Sequence, residues 1–485
     1  MTVGQAHVSE ARHGAPRSFN VSALVTNVLL CLLGVGLMGL SRQFVREHDA
    51  FRMGFSGVSG WSATLFVASV LVVMVGRVNR WTLWIVLGFA VEFRLMDLFA
   101  SPFLSSDIYR YVWDGMVQHH GVNPYRYVPG DAALSWLRAP NQEVFDNINR
   151  RDYARTIYPP VAQMMYWCVT LVSPTVQAMK LAMFGFECAT AWALVKMLGL
   201  MGRPSAEVLL YAWCPLLVWE IGGAGHVDAA VFCLVTLAVL FRFRDRPMLV
   251  GLFLGMAVMT KFYPLVLMPA LWRRGDWKMP AVLAGVVAVG YAMYSSVGMM
   301  VFGFLTQGYA KEEGMESGTR YFLLEAVQRV WPGAGVGIYL GFCAVVLGGI
   351  SWWCWRWATV EFDLTSQPSR RTNAMTGAPG AVEVPAFVRG ALMLGFAMML
   401  LFSPHYPWYV AWLVPLFALW PNLPLLAYLM AFFYMFTTAL ADGSVGNMFI
   451  VNKVLYGVTL AAFLVGWAMR RWAVLRYFKT MEEAA

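Results

Sequence analysis

Apolar stretches separated by short polar segments recur along this chain from residue 21 almost to its C-terminus. A helix needs about 20 residues to cross the hydrocarbon core of a bilayer, which is roughly 30 Å thick. The pattern therefore predicts an all-α polytopic membrane protein with about 12–14 transmembrane helices. The predicted helices lie near 21–40, 61–78, 81–100, 178–198, 206–222, 227–242, 248–272, 279–300, 335–357, 386–402, 408–420, 423–441 and 449–470.

The distribution of Arg and Lys predicts the orientation of these helices, because cytoplasmic loops carry an excess of both residues. Clusters such as Arg242 to Arg246 and Arg273 to Lys278 mark one face, and the long loop 101–157 then lies on the outer face. A further apolar stretch, 158–175, can span the bilayer or form a re-entrant hairpin. We favour the hairpin, because a full crossing places Arg203 and the Arg242 cluster outside.

Three regions are predicted along the chain. Residues 1–80 hold extra N-terminal helices, of which the first is retained, since 21–40 is long for a signal peptide and lacks a clear cleavage site. Residues 81–420 form the core, with the outer loop 101–157 and a flexible cytoplasmic linker at 358–385 that is rich in Ser, Thr, Pro and Gly. Residues 421–485 hold the C-terminal helices and a basic tail.

Composition agrees with the membrane interpretation. The chain is 59% hydrophobic and 13% charged, whereas soluble domains are roughly half apolar and a quarter charged. The net charge of +9 is spread over short clusters between apolar spans, so it indicates topology and not a nucleic-acid partner. The seven cysteines lie in or beside apolar spans without paired spacing, and we infer neither disulfides nor a metal site from them.

The densest group of polar and aromatic residues is Ser105 to Tyr127, which opens the long outer loop. If a helix begins at Asp107, then Tyr111 and Asp114 lie on the same face of it. Paired carboxylates beside aromatic rings suit transfer to a hydroxyl acceptor, since one carboxylate can remove the hydroxyl proton. The alternative is structural, with Asp107 capping the helix and Asp114 pairing with Arg110.

Further candidates occur where polar residues interrupt later apolar stretches, because ionisable groups at membrane depth usually face a cavity or each other. Each also has a structural alternative: an interfacial tyrosine, a buried hydrogen bond, a snorkelling lysine or an aromatic belt. The loop around 311–320 is long and charged, as expected of a lid or an acceptor-binding loop. These candidates are Tyr158 in TIYPPVAQ, His226 and Asp228 in GGAGHVDAA, Lys261 and Tyr263 in MTKFYPL, and His405, Trp408 and Tyr409 in SPHYPWY.

Six motifs in order over roughly residues 80 to 420, namely SSDIYRYVWDG, GVNPYRY, TIYPPVAQ, GHVDA, GMAVMTKFYPL and SPHYPWYVAWLVPL, together resemble the GT-C membrane glycosyltransferases. Within that group the chain resembles bacterial α-mannosyltransferases that use a polyprenyl-phosphate mannose donor. The resemblance implies a multi-pass protein of the bacterial inner membrane with an extracytoplasmic active site. It also implies that Asp107 is the catalytic base and that the anomeric carbon inverts.

On this basis we expect a polyprenyl-phosphate sugar donor and a lipid-linked or glycan acceptor as partners, together with membrane lipids. Cations are expected to stabilise the departing phosphate, and aromatic rings to hold the sugar and the first isoprene units. No cofactor is indicated, although two carboxylates seven residues apart could assist a divalent metal. The candidate cations are Arg110, Arg126, His226, Lys261 and His405; the rings are Tyr109, Tyr111, Trp113, Tyr125, Trp408 and Tyr409; the other substrate-binding candidates are Asp114, Asn123, Tyr158, Asp228 and Tyr263.

Two other classes of protein share some of these features. A secondary transporter or a lipid-linked sugar flippase accounts for broken helices and for His226, Asp228 and Lys261 as a relay. A glycan ligase or polymerase shares the outward site and its basic residues. The long aromatic outer loop favours the transferase over a transporter.

Overall fold

The computed structural model describes residues 22–46, 51–102, 104–306, 308–357, 384–403, 405–442 and 448–482. The polar N-terminal segment 1–20 and nearly all of the linker expected at 358–385 lie outside these ranges, as does most of the turn at 442–447. In the described part of the chain, all regular secondary structure is helical. The prediction of an all-α fold is therefore confirmed.

Thirteen α-helices of twelve residues or more form the body of the described part of the chain. They are α1 (Ala23–Arg46), α2 (Phe51–Val75), α3 (Arg80–Leu98), α4 (Asp107–His119), α5 (Pro160–Val172), α6 (Val176–Leu200), α7 (Asp228–Phe243), α8 (Pro247–Val258), α9 (Lys278–Met293), α10 (Val336–Trp357), α11 (Ala386–Phe402), α12 (Leu423–Asp442) and α13 (Met448–Glu482).

Short helical turns connect these helices and interrupt several of the predicted spans. Predicted span 206–222 is divided at Pro215, where the preceding residue, Cys214, is extended, because proline disfavours helical backbone in the residue before it. Predicted span 248–272 ends as a helix at Val258. The turns are Ala132–Leu134, Ser135–Arg138, Ala139–Asn141, Gln142–Asp146, Ser205–Val208, Leu209–Ala212, Pro215–Leu217, Val218–Gly223, Tyr263–Leu267, Met268–Leu271, Ser295–Thr306, Tyr309–Glu312, Phe322–Gln328, Trp408–Ala411 and Val414–Leu419.

Five helices of the described residues are long and apolar enough to cross a bilayer, and two bent helix pairs raise the number to seven. The bends measure 53° between Ser205–Ala212 and Pro215–Gly223, and 108° between Lys278–Met293 and Ser295–Gly303. Five shorter apolar helices lie beside them. The chain is thus a multi-pass membrane protein in which several predicted spans are broken or short.

The position of α5 bears on the topology that the sequence leaves open. The helix has 13 residues, about 20 Å at a rise of 1.5 Å per residue, which is shorter than the hydrocarbon core. Lys180, near the start of α6, donates hydrogen bonds to the carbonyl oxygens of Asp97 (3.0 Å) and Ala100 (2.7 Å) at the end of α3. Both ends of α5 therefore lie near the segment that carries loop 101–157, an arrangement that favours the re-entrant hairpin.

A buried ion pair joins α3 to α6. Arg94 donates to Glu187 through Nη2 (2.8 Å) and Nε (3.3 Å), and its Nη1 donates to the carbonyl oxygen of Ala212. Both charged side chains are less than 5% exposed. Since an isolated charge in an apolar interior is very unfavourable, this pair fixes the relative positions of three segments of the bundle.

We expect Glu187→Ala to lower the free energy of unfolding by about 3–5 kcal/mol, because it leaves the charge of Arg94 buried without its carboxylate. Unfolding of the purified protein in mixed micelles measures the effect. The matched control is Glu92→Ala, which removes a carboxylate 3.9 Å from Arg42 in a half-exposed pair and should change stability by less than about 1 kcal/mol. Equal losses in the two variants would contradict the assignment of Glu187 as the stabilising partner.

Candidate active site

A cavity of about 1200 Å³ opens where four distant segments meet: loop 101–157, the break after α8, loop 301–334 and the turn after α11. Five cations and two carboxylates line it among the described residues, together with several tyrosines. The charged residues are Asp107, Arg110, Arg150, Arg155, Lys261, Glu313 and Arg320.

Asp107 is the first residue of α4 and lines this cavity. Its Oδ2 accepts a hydrogen bond from the hydroxyl of Tyr158 at 3.1 Å, and its Oδ1 accepts one from Nδ2 of Asn149 at 2.8 Å. A carboxylate at a helix N-terminus is also stabilised by the helix dipole. The structure thus holds both oxygens of Asp107 in place with neutral donors, at the wall of a cavity.

Tyr158 is itself held rigidly. Its carbonyl oxygen accepts a hydrogen bond from the hydroxyl of Tyr125 at 2.7 Å, and its ring packs edge-on against Tyr111 and Tyr166. Burial, and next the nearby charge of Asp107, raise the pKa of the Tyr158 phenol well above its usual value. Tyr158 therefore stays a neutral donor to Asp107 across the physiological pH range.

Asp114 lies away from the cavity. It accepts hydrogen bonds from Nε of Arg110 (2.7 Å) and Nε2 of Gln163 (2.9 Å), and it is 2% exposed. Arg110 also donates to the carbonyl oxygen of Ala154 at 3.1 Å, yet part of its side chain lines the cavity. Asp114 thus pairs with Arg110, as the structural alternative in the sequence analysis expects.

Lys261 lies in the helix break after α8 and reaches the cavity wall. Its Nζ donates to Oδ2 of Asp228 at 2.6 Å, while the hydroxyl of Tyr263 donates to Oδ1 of the same residue at 2.8 Å. Asp228 is the first residue of α7 and is fully buried. The sequence pieces GHVDA and MTKFYPL therefore meet in one charged cluster.

Arg320, which the sequence did not single out, also lines the cavity near Tyr409. Its guanidinium is 5.6 Å from the centre of the Tyr409 ring, and Nζ of Lys261 is 5.5 Å from the same centre. Arg320 also pairs with Glu313, and the hydroxyls of Tyr409 and Tyr309 are 2.8 Å apart. Two cations from distant parts of the chain thus converge on one ring in the cavity.

Arg150 is a second cavity residue that the sequence did not reveal. It pairs with Glu312 and lies 3.7 Å from Glu313, so it ties loop 101–157 to loop 301–334. Its neighbour Asn149 contacts Asp107. From the sequence, only the high density of charged residues at 311–320 indicated that this loop could belong to the site. The ion pair of Arg150 with Glu312 could not be predicted, because the two residues are about 160 positions apart.

The histidines differ from their expected roles as cations. His226 is buried and absent from the cavity wall, and its ring stacks behind that of Trp408 at 4.3 Å. Burial, and next the charge of Arg320, lower the pKa of His405 to about 4, so this side chain is neutral at pH 7. Arg126 is exposed and lies outside the cavity lining. Arg110 and Lys261 are the expected cations that reach the cavity.

Other expected residues support the loops. Trp113 packs against Phe145, and Asn123 donates to the carbonyl oxygen of Tyr294 at 3.0 Å. Tyr109, Trp408 and Tyr409 line the cavity itself. The rings expected to contact a sugar therefore divide into a group that faces the cavity and a group that holds its walls.

A group of apolar residues in the cavity lining comes from α11 and the turns at 263–271, with Ser351 of α10 in the same lining, and we call this part of the wall the apolar end. Its walls include Leu265, Val266, Pro269, Met398 and Phe402. No group of three or more His, Cys, Asp or Glu side chains suited to a metal ion occurs in the described ranges. The cavity lining therefore combines a charged group of residues with the apolar group of the apolar end.

Comparison with known proteins gives one match. A family model described as "MptA_B_family: Alpha-(1->6)-mannopyranosyltransferase, N-terminal domain" matches residues 19–273, more than half of the chain. No curated protein and no solved structure matches. The matched range contains Asp107, Tyr158, Asp228 and Lys261.

The neutral state of His405 predicts a pH-dependent stability. Between its unfolded pKa of about 6.5 and its folded value of about 4, the unfolded chain binds a proton that the folded chain does not, so stability falls as pH falls. From pH 7 to pH 5 the loss due to this residue is about 2 kcal/mol. We expect His405→Gln to remove that part of the acid sensitivity, measured as unfolding free energies at the two pH values.

The matched control is His120→Gln, which alters an exposed histidine and should leave the wild-type difference between pH 7 and pH 5 intact. An unchanged pH dependence in His405→Gln would show that His405 does not account for the acid sensitivity.

Proposed function

The chain belongs to the MptA_B family of alpha-(1->6)-mannopyranosyltransferases, and we propose that it transfers mannose from a polyprenyl-phosphate donor to an acceptor hydroxyl. The observation that supports this reaction best is the position of Asp107. Its carboxylate lines a cavity whose lining also includes Lys261, Arg320 and the apolar end. A base, an anion site and an apolar channel are the three elements that a lipid-phosphate sugar donor requires.

The donor phosphate is assigned to the space beside Lys261 and Arg320. Both side chains lie over Tyr409, and a phosphate that gains charge on departure is best stabilised by preorganised cations in a site that excludes water. Each cation already has one carboxylate partner, so a bound phosphate completes a network of alternating charges. The isoprene chain then lies in the apolar end, between α10 and α11.

The chemical step requires one bond to form and one to break. The acceptor hydroxyl oxygen attacks the anomeric carbon of mannose while its proton passes to the carboxylate of Asp107. The bond from the anomeric carbon to the phosphate oxygen breaks, and its electron pair leaves with the lipid phosphate. Attack from the opposite side inverts the configuration, so a β-linked donor yields an α-mannoside.

The acceptor is assigned to the part of the cavity beside Asp107. Asn147, Asn149, Arg150 and Arg155 also line the cavity and offer donors and acceptors for a hydroxyl-rich glycan. The family description supports an α-(1→6) linkage, which makes the attacking group a primary hydroxyl at C6. The basic loops on the opposite side support an extracytoplasmic site in the bacterial inner membrane.

Asp107→Asn should lower the rate of mannose transfer about 10²- to 10⁴-fold, since the amide keeps the shape of the side chain but cannot accept the hydroxyl proton. The assay gives radiolabelled polyprenyl-phosphate mannose and a mannoside acceptor to purified protein in nanodiscs, and counts label in the product. Asp146→Asn, which alters an exposed carboxylate outside the cavity lining, is the matched control. Transfer by Asp107→Asn at the wild-type rate, or none by wild type, would refute the mechanism.

The apolar end allows a separate test of the lipid donor. Met398→Trp fills part of that end, so we expect it to raise the KM for a long-chain donor at least about 10-fold, because several buried CH₂ groups lose their contacts. The KM for a short-chain mannosyl phosphate should change little. Met393→Trp on the same helix is the control, since Met393 is exposed outside the cavity. Equal effects on both donors would place the lipid chain elsewhere.

A further inference from the structure

A buried polar pair, Glu220 and His226, lies just behind the cavity. Their side chains are 0% and 1% exposed. Nε2 of His226 is 3.3 Å from Oε2 of Glu220, close enough for an N–H on Nε2 to interact with the carboxylate, while Nδ1 of His226 and Oε1 of Glu220 lack a hydrogen-bond partner within the described residues. Buried polar atoms rarely lack a hydrogen-bond partner. The pair therefore calls for an explanation beyond packing.

The local backbone holds these two side chains together. Glu220 lies in the π-helical turn Val218–Gly223, a form of helix that often occurs at functional sites. The backbone N–H of His226 donates to the carbonyl oxygen of Glu220 at 3.2 Å. Gly225 has a φ of +72°, and a Cβ at this position would overlap Ile108, the neighbour of Asp107. The turn thus packs directly against the start of α4.

A stack of rings connects His226 to the cavity. The ring of Trp408 lies 4.3 Å from that of His226, at 23°, and 4.5 Å from that of Tyr406, at 10°. Two nearly parallel rings at such distances cannot share one face of Trp408, so they cover opposite faces. Trp408 and Tyr406 both line the cavity, and Tyr406 is the more exposed of the two. The stack therefore runs from the buried pair to a ring at the cavity surface.

We propose that Glu220 and His226 are positioning residues that set the orientation of the Trp408–Tyr406 stack, and that the cavity face of Tyr406 binds the hexopyranose ring of the donor. The inference rests on the mannose transfer proposed above and extends it. Glu220 orients the imidazole, the imidazole fixes the plane of Trp408, and Trp408 fixes Tyr406. Neither Glu220 nor His226 touches the sugar.

The expected size of the effect follows from the energy of a stacked pair, which contributes about 0.5–1.5 kcal/mol beyond its buried area. His226→Leu keeps the volume but loses the stacking contact, so it should raise the donor Kd and KM about 2- to 12-fold. The kcat should stay within about twofold, because the base and the cations are unchanged. Glu220→Gln, which keeps side-chain volume, should raise the donor Kd about 2- to 3-fold.

Coupling between variants separates this role from general destabilisation. In a Tyr406→Ala background, His226→Leu should change the donor Kd less than about twofold, since the ring that it positions is gone. In a His226→Leu background, Glu220→Gln should likewise have no further effect. If Glu220 and His226 only stabilise the fold, the effects of the single variants on the donor Kd should add in the double variants, and kcat should fall as well.

The measurement is equilibrium binding of radiolabelled polyprenyl-phosphate mannose to the full-length protein in nanodiscs, followed by steady-state kinetics. His119→Leu is the matched control, because His119 stacks on Trp167 at 6.0 Å and neither residue lines the cavity. If His226→Leu fails to fold, the volume-conserving Glu220→Gln and its cycle with Tyr406→Ala give the answer. Additive effects, or a lost kcat with unchanged donor affinity, would overturn the positioning role.

Tight donor binding without transfer by wild type would overturn the proposed function alone, whereas no binding would overturn both.

Discussion

The pairing of buried charged side chains inside an apolar bundle governs this structure. An isolated charge at membrane depth is strongly unfavourable, so such groups meet a partner or a cavity. Arg94 meets Glu187, Arg110 meets Asp114, and Lys261 meets Asp228. Each pair joins separate turns or separate helices, and together they position the cavity walls. The pairs therefore determine where the site can form.

Asp107 differs from these carboxylates because its two hydrogen bonds come from neutral donors, Asn149 and Tyr158. A carboxylate engaged by a cation is a poor base, since proton uptake sacrifices the ion pair. A carboxylate held by an amide and a phenol keeps its orientation and can still accept a proton. The contrast between Asp107 and Asp114, seven residues apart on one helix, is the basis for proposing Asp107 as the base and Asp114 as a structural carboxylate.

The sequence predicted the parts of this arrangement that depend on local pattern. Apolar runs located the long helices, and the polarity of Ser105 to Tyr127 located the helix that begins at Asp107. The sequence could not show that the cations of Arg320 and Lys261 both lie near the ring of Tyr409. These residues are far apart in the chain and approach each other only through tertiary packing. Glu220 was missed for another reason. It lies in an apolar run, and nothing in that run predicts a π-helical turn.

The site also requires both halves of the chain. Residues 19–273, which match the family model, supply Asp107, Tyr158 and Lys261. Arg320, Tyr406 and Trp408 follow that range and complete the same cavity. Side chains of the two halves meet at the cavity, as Lys261 does with Tyr409 and His226 with Trp408. Because the proposed base comes from one half and the aromatic wall from the other, docking of the halves assembles the cavity in which a sugar is proposed to lie beside Asp107.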